Sequence, residues 1–138
     1  TAVCDLVIGE ATRISAIGYC FGGMCVLDLA RRGAQVRGIV SIHGLLHAPE
    51  KMMPRKIFAQ VLALHGFDDP MVTSDIAIHF GEEMTNAKVD WQLHIYGNTM
   101  HAFTNPEAND PAFGTVYNPK AAARSWKETV DFLRESFE

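Results

Sequence analysis

Apolar residues fall along this chain in short dense runs, separated by stretches with helical spacing. Residues 14–19 (ISAIGY) form one such run, and its length fits a buried strand. Helical spacing follows over 22–32, with Met24 and Leu27 on one face and Gly33 as a C-terminal stop. β-Branched residues return at 36–42 (VRGIVSI), a second strand. Residues 43–56 are rich in His, Pro and Met without a period and predict a loop with at most a turn of helix. A third strand is expected at 61–64, closed by His65-Gly66. A helix is expected at 74–87, where Ile76, Phe80 and Met84 share a face behind a Thr/Ser cap. Residues 89–96 predict a fourth strand ended by Gly97-Asn98, and 98–118 a long irregular loop broken by Pro106 and Pro111. The closing helix spans 121–137, with Trp126, Val130, Leu133 and Phe137 as its core stripe. Strands alternating with helices across long connections imply a parallel sheet with right-handed crossovers. The expected fold class is α/β, about four parallel strands with flanking helices, in a single domain over residues 1–138.

Composition narrows the function classes. At 138 residues the chain can bury a substantial core, and 48% apolar with 20% charged residues is ordinary for a globular protein. A net charge of −4 argues against a nucleic-acid partner. No apolar run reaches the length of a membrane span. Residues 1–12 lack the basic start and apolar centre of a signal peptide, so the expected location is cytoplasmic. Three cysteines (Cys4, Cys20, Cys25) with no CxxC fit neither a disulfide scaffold nor a zinc ribbon. The first residue is not Met, and AVCDLVIGE reads like the tail of a helix, which leads to the expectation of a piece of a longer chain.

Gly18-Tyr19-Cys20-Phe21-Gly22 places a thiol on the turn between the first strand and the first helix. This is the G-x-Nu-x-G nucleophile elbow in its required setting. Side chains at positions 18 and 22 are expected to collide across the turn. The helix start favours a thiolate at Cys20, and the Phe21 backbone N–H is placed to donate to a developing oxyanion. A cysteine nucleophile gains from a histidine, and the histidine from a carboxylate. In a parallel sheet these groups belong at the carboxyl ends of the strands. There HGFDDP offers Asp68 and Asp69, and GNTMHAF offers His101, in the order nucleophile–acid–base. His43 and His47 have an i,i+4 spacing but no obvious third metal ligand; His65 is a candidate support for the acid loop, and His79 and His94 read as structural. Cys4 and Cys25 are expected in the core, and Arg31-Arg32 are expected only to complement a helix dipole.

GYCFGG, LHGFDDP, YGNTMHAFTNP and YNPKAAARSWKETVDFL together resemble the dienelactone hydrolase family of α/β-hydrolases, from about residue 13 to the end. The resemblance implies a Cys-Asp-His triad at Cys20, Asp69 (Asp68 as second choice) and His101, acting on a small-molecule ester or lactone through a thioester, with no metal or organic cofactor. Asn105 stands where the family carries an arginine that helps hold the substrate carboxylate. Ester or lactone hydrolysis is therefore implied, rather than action on dienelactone itself. The resemblance also implies a C-terminal part of that fold, without the first strands and the other oxyanion loop. The nucleophile strand would then lie at an open sheet edge, which leaves a homo-oligomer open. Class I glutamine amidotransferases also use an elbow cysteine but carry H-x-E, and no histidine here has Glu two residues on. The alternative function is an inactive fragment or a non-catalytic interaction module on the same scaffold.

Overall fold

The aliphatic and β-branched runs become strands, and the amphipathic stretches between them become helices. The computed structural model describes residues 13–53 and 55–138; the expected helix tail before residue 11 and Cys4 lie outside the described residues. In chain order the elements are β1 (Ala16–Tyr19), α1 (Phe21–Arg31), β2 (Gly38–Ile42), β3 (Gln60–Gly66), α2 (Ser74–Asn86), β4 (Trp91–Tyr96), a two-residue ribbon β5 (Asn109–Asp110) and β6 (Thr115–Val116), and α3 (Pro119–Ser136). The first four strands form one parallel sheet in the order β1-β2-β3-β4. Every strand therefore delivers its following loop to the same edge of the sheet.

Central strands β2 and β3 are almost wholly buried. That is why they read as continuous apolar runs rather than as alternating ones. Their side chains still alternate between two cores. Ile39, Val61 and Ala63 pack with Leu27, Ala30, Phe80 and Met84 of α1 and α2. Val40, Ile42, Leu62 and Leu64 pack with Phe103, Ala121 and Phe132, on the α3 side. β1 pairs only with β2 among the described residues, and its Ile17 and Tyr19 are exposed.

Several expectations are corrected. The loop 98–118 contains the antiparallel ribbon β5–β6. Thr73 is the N-cap of α2, but its hydroxyl bonds to Asp75 rather than to the helix backbone. Of the expected stripe, Leu133 packs against the core, but Trp126 is 56% exposed and Phe137 38%; the buried residues of α3 are Ala121, Ser125, Thr129, Phe132 and Ser136. Small residues win because the helix lies close to the sheet, where a methyl at Gly38 would already stand 3.1 Å from the Phe132 ring. The Ser125 and Thr129 hydroxyls donate to carbonyls within the helix, at 2.9 and 2.8 Å, so they carry no unpaired donor inward. Cys25 is exposed rather than in the core. Arg31 does more than face a dipole: it is buried, and its guanidinium bonds both Glu83 oxygens, Asp28 and the Leu46 and His47 carbonyls. It thereby ties α1 to α2 and to the loop after β2.

Candidate active site

The elbow sits where β1 stops. Cys20 has φ 51° and ψ −119°, a conformation that costs an L-residue on the order of 1–3 kcal/mol. Its backbone is held on both sides. The N–H reaches the Ile42 carbonyl at 3.0 Å, and the carbonyl accepts from Gly23 and Met24 at 3.0 and 3.3 Å. Gly18 is required by space, because a methyl there would lie 2.0 Å from the Gly22 carbonyl oxygen. The expected collision at position 22 is not found: a methyl on Gly22 would meet nothing within 4 Å. The crowded partner is the Gly22 backbone, not its side-chain position. No side chain caps α1; Gly23 and Met24 donate to the Cys20 carbonyl, while the Phe21 N–H, at the first helical position, has no acceptor inside the helix.

His101 is set by the loop after β4. Its N–H bonds the Gly114 carbonyl at 2.9 Å, and its carbonyl accepts from Val116 at 3.1 Å, so the small ribbon fixes its backbone. Phe103, two residues on, is fully buried and anchors the loop, a burial worth roughly 1.5–3 kcal/mol. The acid loop after β3 closes against the same region. A methyl on Gly66 would stand 2.4 Å from the Thr99 carbonyl, and the Asp68 N–H donates to that oxygen at 3.0 Å. Only glycine lets the two loops approach this closely.

These loops bring three of the predicted side chains into one line. His101 Nε2 lies 3.1 Å from Cys20 Sγ, and His101 Nδ1 lies 2.7 Å from Asp69 Oδ2. Asp69 is turned by a bond from the Met71 N–H to Oδ1 at 2.8 Å. Asp69 and His101 are each 2% exposed, whereas Cys20 faces solvent. Asp68 is exposed, and the carboxylate bonded to His101 is that of Asp69. Burial alone would lower the His101 pKa, but hydrogen bonds and charge from Asp69 and Cys20 outweigh it and hold the imidazole above its ordinary value. Such a line can move a proton between sulfur and imidazole while the carboxylate fixes the ring. A recess of about 300 Å³, lined by Tyr19, Ile42, Thr104, Ala122, Ser125 and Trp126, opens on the neighbouring side of the elbow.

A fourth residue, His43, which by its spacing reads only as a candidate metal ligand, joins the site. His43 follows β2 directly, and the register Tyr19↔Ile42 sets it beside Cys20. Its Nδ1 accepts from the Cys20 N–H at 3.2 Å, and its Nε2 meets the Thr104 hydroxyl at 2.8 Å. The usable signal was its place, one residue past a strand end on the same sheet edge as Cys20. His65 is buried at the end of β3 near Asp69, with Nδ1 unpartnered; burial lowers its pKa. His79 is exposed, and His94 lies 3.8 Å from Glu128. Asn105 is exposed and accepts from the Glu107 N–H. No group of three or more His, Cys, Asp or Glu suited to a metal occurs among the described residues, and no helix among them is long and apolar enough to cross a membrane.

Comparison with known proteins shows the family of the chain. A family model described as the dienelactone hydrolase family matches residues 7–137. The structure resembles that of P91, a dienelactone hydrolase-like promiscuous phosphotriesterase from metagenomic libraries, with a TM-score of 0.82 and 37% identity over 91% of this chain and 53% of that one. An uncharacterised protein of Caenorhabditis elegans is 36% identical over 132 residues, 93% of this chain and 83% of its own. A Bradyrhizobium protein named probable 2-oxo-3-(5-oxofuran-2-ylidene)propanoate lactonase is 29% identical over 134 residues, 91% of this chain and 51% of its own. The chain thus spans about half the length of P91 and of the Bradyrhizobium relative.

Proposed function

The chain belongs to the dienelactone hydrolase family, and from that premise we propose that it hydrolyses carboxylic esters or lactones through a thioester on Cys20. The observation that carries this reading is the Cys20–His101–Asp69 line, with contacts of 3.1 and 2.7 Å. A relative named as a lactonase supports an ester-type carbonyl as the target. On this reading residues 1–138 form one α/β-hydrolase-like domain, and its partner is a small molecule.

The thiol proton moves from Sγ to His101 Nε2, and the sulfur attacks the carbonyl carbon. A carbon–sulfur bond forms, and the carbonyl electron pair moves to oxygen, where the Phe21 N–H donates to it. The pair returns, the carbon–oxygen bond to the leaving group breaks, and the imidazolium gives its proton to that oxygen. Water then loses a proton to Nε2 and attacks the thioester; the carbon–sulfur bond breaks, and the returning proton restores the thiol. Asp69 holds Nδ1–H throughout, which keeps Nε2 aimed at sulfur and stabilises the imidazolium.

Rapid mixing with a 4-nitrophenyl ester tests the reading. A burst of nitrophenolate and a trapped acyl group on Cys20 are expected, with turnover falling at least about a thousandfold in Cys20→Ala. Equal turnover in Cys20→Ala overturns it. A binding module on the same scaffold would give neither burst nor acylation.

A further inference from the structure

The nucleophile's backbone is held by a second histidine, separate from the one beside its sulfur. Cys20 and His43 are the residues that directly follow two neighbouring parallel strands, and both have positive φ, at 51° and 39°. Such values in two adjacent non-glycine residues persist only where the surroundings over-determine them. Here a bond joins them. The Cys20 N–H, already 3.0 Å from the Ile42 carbonyl, also lies 3.2 Å from His43 Nδ1. For Nδ1 to accept, it must be the unprotonated nitrogen, so the neutral ring carries its proton on Nε2. That N–H has a partner in place, the Thr104 hydroxyl at 2.8 Å. The ring is 3% exposed and is packed edge-on by Phe103 and His101, with centroids 5.1 and 5.3 Å away.

We infer that His43 is a positioning residue: its neutral imidazole, locked by Thr104 in the Nε2–H form, holds the Cys20 backbone so that the sulfur stays within reach of His101. The inference rests on the Cys20 hydrolase reading above and adds a residue to it. The ionisable groups facing His43 are Cys20, Tyr19, His101 and Asp69. Burial, then the neighbouring His101 charge, push the His43 pKa down to about 4, against smaller upward effects of its backbone contact and Asp69. Above about 4 the ring is therefore neutral, while His101 is shifted the opposite way, upward. Two histidines about 5 Å apart are thus divided between a neutral acceptor and a proton carrier.

The test compares His43→Phe, which keeps a ring of similar breadth without either nitrogen, with His43→Asn, whose side-chain oxygen can stand near the Nδ1 position. Steady-state hydrolysis of 4-nitrophenyl acetate is measured for both, with thermal unfolding alongside. His43→Phe should lower kcat about thirtyfold with KM within about twofold, the scale of a lost buried hydrogen bond at the reacting centre. His43→Asn should recover most of that loss, and Thr104→Val should lower kcat by about threefold to tenfold by freeing the tautomer. An unchanged kcat in His43→Phe, or an equal loss in the Phe and Asn variants, overturns the inference while leaving the Cys20 reading intact. Turnover that survives Cys20→Ala overturns both.

Discussion

Arg31 and His101 are both buried ionisable side chains held by carboxylates, at 4% and 2% exposure, yet their surroundings end in different ways. The Arg31 guanidinium is surrounded by acceptors: two oxygens of Glu83, one of Asp28 and two backbone carbonyls. Burial lowers its pKa, but Glu83 and Asp28 more than offset this, and the charge stays in place. The line through His101 starts equally well, with Asp69 bound on both oxygens, but it terminates on a thiol open to solvent beside the uncapped start of a helix. A saturated cluster joins three elements and leaves nothing to react. A cluster with one open end leaves a thiol, backed by an imidazole, ready for a partner from outside. The backbone follows the same division: Cys20, His43 and Ala102, the residue after His101, all have positive φ, whereas Arg31 lies in regular helix.

Replacing Asp69 by Asn should break the reactive line without dismantling the fold. Because the loss of an orienting carboxylate leaves the imidazole in the wrong tautomer, kcat is expected to fall about a hundredfold or more. The pH profile sharpens the point. His101 must keep the proton it takes from sulfur until it passes it to the leaving oxygen; because Asp69 and Cys20 raise its value, the alkaline limb of kcat/KM should lie above the usual histidine value near 6.5, and Asp69→Asn should move it to lower pH. The stability linked to His101 has the matching sign: it is complete below about 6.5 and disappears as pH rises through the raised value. Denaturant melts across that window should show this slope in the parent protein and a weaker one in the variant.

Arg31→Met attacks the saturated cluster instead. It leaves Glu83, Asp28 and the Leu46 carbonyl without their shared donor, and chemical denaturation should show a loss of about 3 kcal/mol. Activity per folded molecule should stay level, because no member of that cluster touches the elbow. A fall in kcat without a fall in stability would mean that the two clusters are coupled. The smallest effect is expected from Asp28→Asn. Asp28 is partly exposed and one of several Arg31 partners, so its loss should cost no more than about 1 kcal/mol by the same measurement.

Much of this was readable in one dimension. Strand and helix segments followed from short apolar runs and helical spacing because those patterns encode which faces are covered. The elbow was readable because a strand-to-helix turn this tight needs glycine at position 18, where even a methyl has no room. On α3 Leu133 meets the core as its hydropathy implies, but Trp126 does not, although hydropathy ranks it above the buried Ser125 and Thr129. The close approach of the helix to the sheet reversed that order, since small hydroxylated residues can satisfy themselves on their own helix. Arg31 was misread for a related reason: its carboxylate partner Glu83 lies 52 residues away, beyond the reach of any local pattern.

By itself, the order of residues determined the parallel α/β framework, the corner that carries Cys20 and the loops from which an acid and a base would come. Local sterics and the spacing of apolar side chains are sufficient for those. Only the tertiary structure decided that Asp69 rather than its neighbour Asp68 meets His101, that Gly22 has open space beside it, and that His43 lies under the Cys20 backbone. Those outcomes depend on strand register and on how closely separate loops can approach. Both are properties of segments far apart in the chain, packed against one another at the end of a sheet.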